Sequence, residues 1–254
     1  MEAIIARALE VALIDVGGTL WPNSWPVRQL DSGGRRRRVT AAMDGHDPRV
    51  VEALVDDLLH SSRPGDEARS ISTEQRVALG ADELIAGCLE RQGIRPDRPT
   101  ISRIRRAMAI PIDDRFQPLP GAAELLQAIH DAGMRSVIAS NTYWRDADSY
   151  WDDFRVLGLA DLIADIVTSV DAGHLKPHPA VFEMARQRAG VAAERCVVIG
   201  NKEENDIAPA LRLGMRAILV HPDDPKPVAS RADAVAADLF ECARALRDML
   251  ESDS

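Results

Sequence analysis

Four short stretches of the chain carry residue types that could do chemistry together. The first is Asp15-Val16-Gly17-Gly18-Thr19-Leu20, a carboxylate set directly after an apolar run and followed by two glycines. A carboxylate held there can serve as a nucleophile, a metal ligand or both, and glycine backbone can approach an anion closely and offer it N–H groups. The same aspartate could also do no more than cap a turn. The second stretch is Ser140-Asn141-Thr142, whose hydroxyl and amide could bind an oxyanion or simply close a turn. In the third, Lys176 stands just before Pro177 and Pro179, ahead of a helix start. A cation beside a helix N-terminus favours an anion, and the prolines stiffen its backbone. His174 and His178 flank this lysine and read as solvated loop residues. The fourth runs from Gly200 through Asn201 to Asp206, at the start of another helix. Asp206 could cap that helix or charge its first turn, or it could offer oxygen to a hard cation.

These stretches need elements that bring them to one place. Val- and Ile-rich runs at 11–16, 136–139, 165–168, 196–199 and 217–220 are apolar on both faces, as buried parallel strands are. Helical spacing lies between and after them. The segment 121–131 carries Leu125, Leu126 and Ile129 and stops at Gly133; 179–189 opens on Pro179 and stops at Gly190; 205–213 ends before Gly214; 238–250 is amphipathic. Strands alternating with helices predict an α/β fold with a parallel, Rossmann-like sheet as its core. Ligands of such a sheet bind beyond the carboxyl ends of the strands, where all four stretches fall.

Residues 22–116 break the alternation. Helices are expected at 48–60, 73–92 and 100–109, with no strand between them, so this is a helical insertion after the first strand. Its leading part, 32–38, is rich in Gly and Arg and is expected to be a mobile loop; its exit carries Pro111, Pro118 and Pro120. The domain division expected is therefore a core of 1–21 and 117–254 around an insertion of 22–116.

Composition narrows the function classes. Of 254 residues 46% are apolar and 28% charged, enough to bury a core, while aromatics make up only 4%. The net charge of −9 argues against broad binding of nucleic acid or an anionic membrane surface, yet leaves room for a small anionic substrate in a locally cationic cleft. Cys88, Cys196 and Cys242 are far apart and suggest neither a disulfide framework nor a zinc site. With no signal-peptide pattern, and no apolar run near the ~20 residues that span a bilayer, a cytoplasmic location is expected. The amphipathic insertion helices are compatible with a homodimer.

In order, the four stretches resemble the motifs of the haloacid dehalogenase-like hydrolase superfamily: Asp-x-x-Gly-Thr-Leu, Ser-Asn, Lys-Pro-x-Pro-x-Val-Phe and Gly-x-x-x-x-Asn-Asp. Leu119-Pro120-Gly121 and Gly214-Met215 are similar to its flanking sequence, so the resemblance covers 9–20 and 117–250. It implies that Asp15 is the attacking carboxylate and that Lys176 steadies both it and the covalent intermediate. It further implies that Thr19, Ser140, Asn141 and Lys176 surround the transferred group. Mg²⁺ would be held by Asp15, the Gly17 carbonyl, Asn201 and Asp206, and 22–116 would be the cap that selects the substrate.

Two positions depart from the family's phosphatases. Gly17 stands where a second Asp protonates the leaving alcohol and activates water, a group whose loss costs about 10²–10⁴-fold. Asn201 stands where an Asp is usual, which keeps an oxygen but removes a charge, so Mg²⁺ should bind more weakly. Three functions stay open on this sequence. One is Mg²⁺-dependent hydrolysis of a small phosphorylated metabolite, its missing acid replaced by an insertion residue, by the substrate, or made unnecessary by the leaving group; the insertion candidates are Asp31, His46 and the 35–38 arginines, which could hold a phosphate or carboxylate. Another is a binding or regulatory homologue with impaired turnover. The last is a non-phosphatase such as a 2-haloacid dehalogenase, although the 200–206 spacing is that of the phosphatases.

Overall fold

The computed structural model describes residues 9–22, 32–61, 81–112, 116–221 and 230–252. Six strands form one sheet: β1 (Val11–Ile14), β2 (Arg135–Ser140), β3 (Asp165–Thr168), β4 (Cys196–Gly200), β5 (Arg216–Val220) and β6 (Ala234–Ala236). Their order is β3-β2-β1-β4-β5-β6 and every pairing is parallel. The chain leaves β1 toward β2 on one side and returns to pair β4 on the other. This reversal opens a crevice at the carboxyl ends of β1, β2 and β4, which is where doubly wound sheets bind ligands.

Both faces of the sheet are covered, which explains why its strands are apolar throughout. Val11 and Leu13 pack with Val137, Val167 and Val198 under α8 (Ala180–Ala189), which follows the one-turn α7 (Ser169–Ala172), and under α9 (Ala208–Arg212). Ala12 and Ile14 pack with Ile138, Ile166 and Ile199 under α5 (Ala122–Asp131), α6 (Ala147–Val156) and α10 (Leu239–Ser252). Leu13 and Ile14 are fully buried, and each such side chain stabilises the fold by about 1.5–3 kcal/mol. The expected 205–213 helix is in two parts, a π-type turn (Glu203–Ile207) followed by α9. The α6 helix and the three-residue β6 were not expected.

The insertion contains α1 (Ser32–Ala42), α2 (Pro48–Ser61), α3 (Ala81–Arg91) and α4 (Arg98–Met108). They close on their own apolar cluster, including Val39, Leu54, Leu58, Ile85, Leu89, Ile104 and Met108. The α4 helix starts at Asp97, whose carboxylate accepts from the Thr100 N–H at 2.7 Å. Residues 32–38 are not a mobile loop but most of α1. Arginine is a good helix former, Arg38 Nε donates to the Ala107 carbonyl of α4 at 2.9 Å, and Val39 and Met43 are buried just beyond. Of the helix expected at 73–92, the part from Ala81 is seen; 73–80, like Asp31, lies outside the described residues.

Two residues of the sheet-bearing part join the insertion's cluster, Trp144 as a buried member and Tyr143 packed partly buried against it. Trp144, four residues after the end of β2, is buried among the insertion helices. Among the described residues no helix is long and apolar enough to cross a membrane. The three cysteines are free and buried.

Candidate active site

The site begins where β1 stops. Asp15 extends the ladder by one bond, its N–H donating to the Ile199 carbonyl at 2.9 Å. The chain then turns on the Val16 carbonyl, which accepts from the N–H groups of Thr19, Leu20 and Trp21 at 3.1, 2.9 and 2.9 Å. Gly18 takes a φ of 81° in this turn, a conformation in which glycine avoids the steric cost of a Cβ. The tight turn sets Thr19 back against the aspartate, and its hydroxyl donates to Asp15 Oδ2 at 3.0 Å.

Lys176 lies at the centre. Its Nζ donates to Asp15 Oδ1 at 2.8 Å, to Asp206 Oδ1 at 2.6 Å and to the Ala139 carbonyl at 2.8 Å. Three acceptors match the three protons of an ammonium, as burial of a charge demands. Burial alone would depress this lysine, but the facing carboxylates of Asp15 and then Asp206 outweigh it, and its ammonium is held above the ordinary lysine range. Asp206 is pushed up to about 6, first by burial and then by the like charge of Asp15, with Lys176 opposing both. One ammonium thus serves two buried carboxylates.

Asp206 sits inside the π-type turn after β4, where its Oδ2 accepts from the Lys202 N–H at 3.1 Å. Its carboxyl lies flat on Gly200. A Cβ at Gly200 would stand 2.5 Å from Asp206 Cγ, so the strand must end in glycine for this carboxylate to reach the lysine.

The groups gathered here line a cavity of about 110 Å³ whose walls are Asp15, Gly17, Asn141, Lys176, Lys202, Asn205 and Asp206. Of the residues singled out in the sequence, Asp15, Gly17, Asn141, Lys176 and Asp206 meet at this space. Thr19 and Ser140 are buried beside it and are not among its walls. The Ser140 hydroxyl is 3.4 Å from the Tyr150 hydroxyl, a long contact. The Asn141 amide is turned to the lysine's backbone: Oδ1 accepts from the Lys176 N–H at 2.7 Å and Nδ2 donates to the Lys176 carbonyl at 3.0 Å. Sequence reasoning overlooked Tyr150, Lys202 and Asn205. For the last two the signal was available, because they share the 200–206 segment with Asp206.

Asn201 tests whether a hard cation suits the site. Its Oδ1 is buried without a hydrogen-bond partner, and a buried orphan acceptor is costly unless something fills it. Asn201 is not itself among the cavity walls, but the Asp15 and Asp206 carboxylates that are offer oxygen, the donor Mg²⁺ takes. The charge is lean, however: among the described residues no three His, Cys, Asp or Glu side chains converge as a metal cluster. Asp31 lies outside the described residues, and none of the other substitutes for a missing acid is among the walls of this cavity. His46 is exposed on the insertion, Arg36 pairs with Asp56, and Arg38 bonds to the α4 backbone.

A family model described as haloacid dehalogenase-like hydrolase matches residues 9–214. A glyceraldehyde 3-phosphate phosphatase of Methanothermobacter thermautotrophicus is 34% identical over 42% of this chain and 46% of its own length. A protein of the same description from Methanopyrus kandleri is 24% identical over 84% of each chain. The chain spans less than half the length of the curated relatives it matches at 32–34% identity. The solved 2-haloacid dehalogenase of Pseudomonas syringae pv. Tomato superposes with a TM-score of 0.58 at 23% identity, over 95% of this chain and 99% of that one, a likeness of fold.

Proposed function

The chain belongs to the haloacid dehalogenase-like hydrolases, and on that premise we propose that it hydrolyses the phosphomonoester of a small metabolite through an aspartyl-phosphate at Asp15. The observation that carries this is the Lys176 ammonium, bonded at once to Asp15 and Asp206 on the wall of a cavity large enough for a phosphoryl group. Its relatives described as glyceraldehyde 3-phosphate phosphatases point to the same substrate class.

In the first step an Asp15 oxygen attacks phosphorus and the bond from phosphorus to the leaving oxygen breaks. The Thr19 hydroxyl fixes the carboxylate's orientation, and Lys176 offsets the negative charge brought in by the phosphoryl group. The leaving oxygen takes its proton from water, because among the described residues the cavity walls offer no carboxylic acid or imidazole beyond Asp15 and Asp206. In the second step water attacks phosphorus, releasing inorganic phosphate and restoring the Asp15 carboxylate. Mg²⁺ would be held by the Asp15 and Asp206 carboxylates, the Gly17 carbonyl and the Asn201 amide oxygen, and would supply positive charge against the phosphoryl oxygens. Residues 22–116 act as the cap, and the protein works in the cytoplasm.

The same lack of a second acid favours substrates with a good leaving group. It also favours one competing function, a phosphate-binding homologue with little turnover. A panel of phosphorylated metabolites plus p-nitrophenyl phosphate, assayed with Mg²⁺ and with chelator, separates the two. Phosphate release that needs Mg²⁺ and vanishes in Asp15→Asn is expected. Binding of inorganic phosphate with no release from any compound by the folded protein would leave the binding function alone standing.

A further inference from the structure

The short segment 141–146 joins the active site to the helical insertion, and successive residues in it serve the two sides. Asn141 holds the backbone of Lys176 at both its N–H and its carbonyl. The Thr142 N–H donates to Ser169 Oγ and the Thr142 carbonyl accepts from that same hydroxyl, both at 3.0 Å. Tyr143 and Trp144 stack edge to face at 4.7 Å and pack into the insertion's apolar cluster. Arg145 bonds to Asp153 at 2.6 Å and to the Ile110 carbonyl at the insertion's exit. Asp146, the N-cap of α6, receives Arg105 of α4 at 2.5 Å.

We propose that Asn141 is a positioning residue for Lys176, and that 141–146 ties the lysine's position to the seating of the helical insertion. Only two residues separate Asn141 from Trp144. The Thr142 side chain closes that interval further, its Oγ1 accepting from the Arg145 N–H at 3.1 Å. With Trp144 packed in one cluster and the Asn141 amide bonded at both ends to the Lys176 backbone, few free dihedrals remain to absorb a shift of the insertion. Packed elements of this kind move together rather than deform. The Thr142–Ser169 pair is the element that could insulate the lysine, so the coupling is open to refutation. A cation whose backbone is held from the insertion would be correctly placed only when the insertion is seated over the core, which links substrate enclosure to nucleophile support. That consequence rests on the function proposed above; the coupling itself does not.

Hydrogen exchange of the full chain tests the coupling without any substrate. The reporter is the Lys176 amide, whose acceptor is Asn141 Oδ1; the neighbouring Pro177 contributes no amide. Asn141→Ala should speed its exchange about tenfold, the loss of one hydrogen bond. Trp144→Ala and Arg105→Gln touch neither Asn141 nor Lys176, and each should speed it several-fold. Arg36→Ala, which breaks the Asp56 pair on the insertion's exposed side, should leave it unchanged. Trp144→Phe replaces Trp144→Ala if that variant fails to fold. Unchanged Lys176 exchange in folded Trp144 and Arg105 variants would overturn the coupling. For p-nitrophenyl phosphate, Asn141→Ala should lower kcat with little change in KM, and Asn141→Asp, which keeps the acceptor, should recover part of it. A rise in KM at unchanged kcat would make Asn141 a substrate ligand instead.

Discussion

Two places in this molecule set one cation between two aspartates, and they do different work. Lys176 lies between Asp15 and Asp206, all three almost wholly buried. Arg105 lies between Asp82 and Asp146, where the Arg105 side chain is 8% exposed but that of Asp82 is 47% exposed. In the first group the carboxylates converge on a cavity and Asp206 is pushed up. In the second, burial would raise Asp146, yet the Ser149 hydroxyl and N–H, and then Arg105, hold it below the ordinary carboxylate value. Asp146 gives one oxygen to the Ser149 N–H and hydroxyl of α6 and the other to Arg105 of α4. Both groups line a cavity, of about 110 Å³ at Lys176 and about 440 Å³ at Arg105; what separates them is burial, since the lysine and both of its carboxylates are almost wholly shielded whereas Asp82 stays open to water.

The contrast predicts unequal losses. Lys176→Met leaves two buried carboxylates without their ammonium and should destabilise the fold by about 3–5 kcal/mol, read from the urea midpoint at constant slope. Arg105→Met should cost less, about 1.5–3 kcal/mol, because Asp82 regains water and Asp146 keeps Ser149. An equal or larger loss at Arg105 would break the comparison. Gly200→Ala drives a Cβ into the Asp206 carboxyl; it should cost about 1–3 kcal/mol and lower kcat, whereas full activity would mean that Asp206 need not lie where it does.

The smallest effect sharpens the anchor's side. Asn still caps α6 in Asp146→Asn, so this variant removes mainly the charge. A depressed carboxylate gives stability that is present above its ordinary value of 3.8 and is lost as pH falls through the lowered value. The gap between parent and variant should therefore stay constant from neutral pH downward and close only below about pH 4, measured by thermal unfolding across pH. A gap that closes near pH 6 would assign the charge effect to another group.

Much of this could be read in advance because strands buried on both faces announce themselves. The runs around Leu13, Ile138, Ile166, Val198 and Ile218 are apolar in every register, and the chemistry stands at their ends. The rest depends on contacts between distant residues. Nothing local in Ser32–Ala42 marks Arg38 as a ligand of the α4 backbone, so a Gly- and Arg-rich stretch looked like loop. Asp146 and Ser149 did spell an N-cap for α6, a signal passed over because Tyr150 and Trp151 obscure the helical pattern. The turn of the Asn141 amide onto Lys176 was illegible, since a loop asparagine at a strand end suits a ligand equally well. Trp144 likewise reads as part of the core until the insertion is folded around it.

The claim on which the function turns is covalent chemistry at Asp15, and borohydride trapping addresses it directly. The protein is mixed with p-nitrophenyl phosphate and Mg²⁺, quenched in acid, reduced and mapped by peptide mass spectrometry. Reduction of an aspartyl-phosphate yields homoserine, and homoserine at position 15, present only with substrate and absent in Asp15→Asn, is expected. Phosphate release with aspartate intact at position 15, or homoserine at another position, would contradict the account.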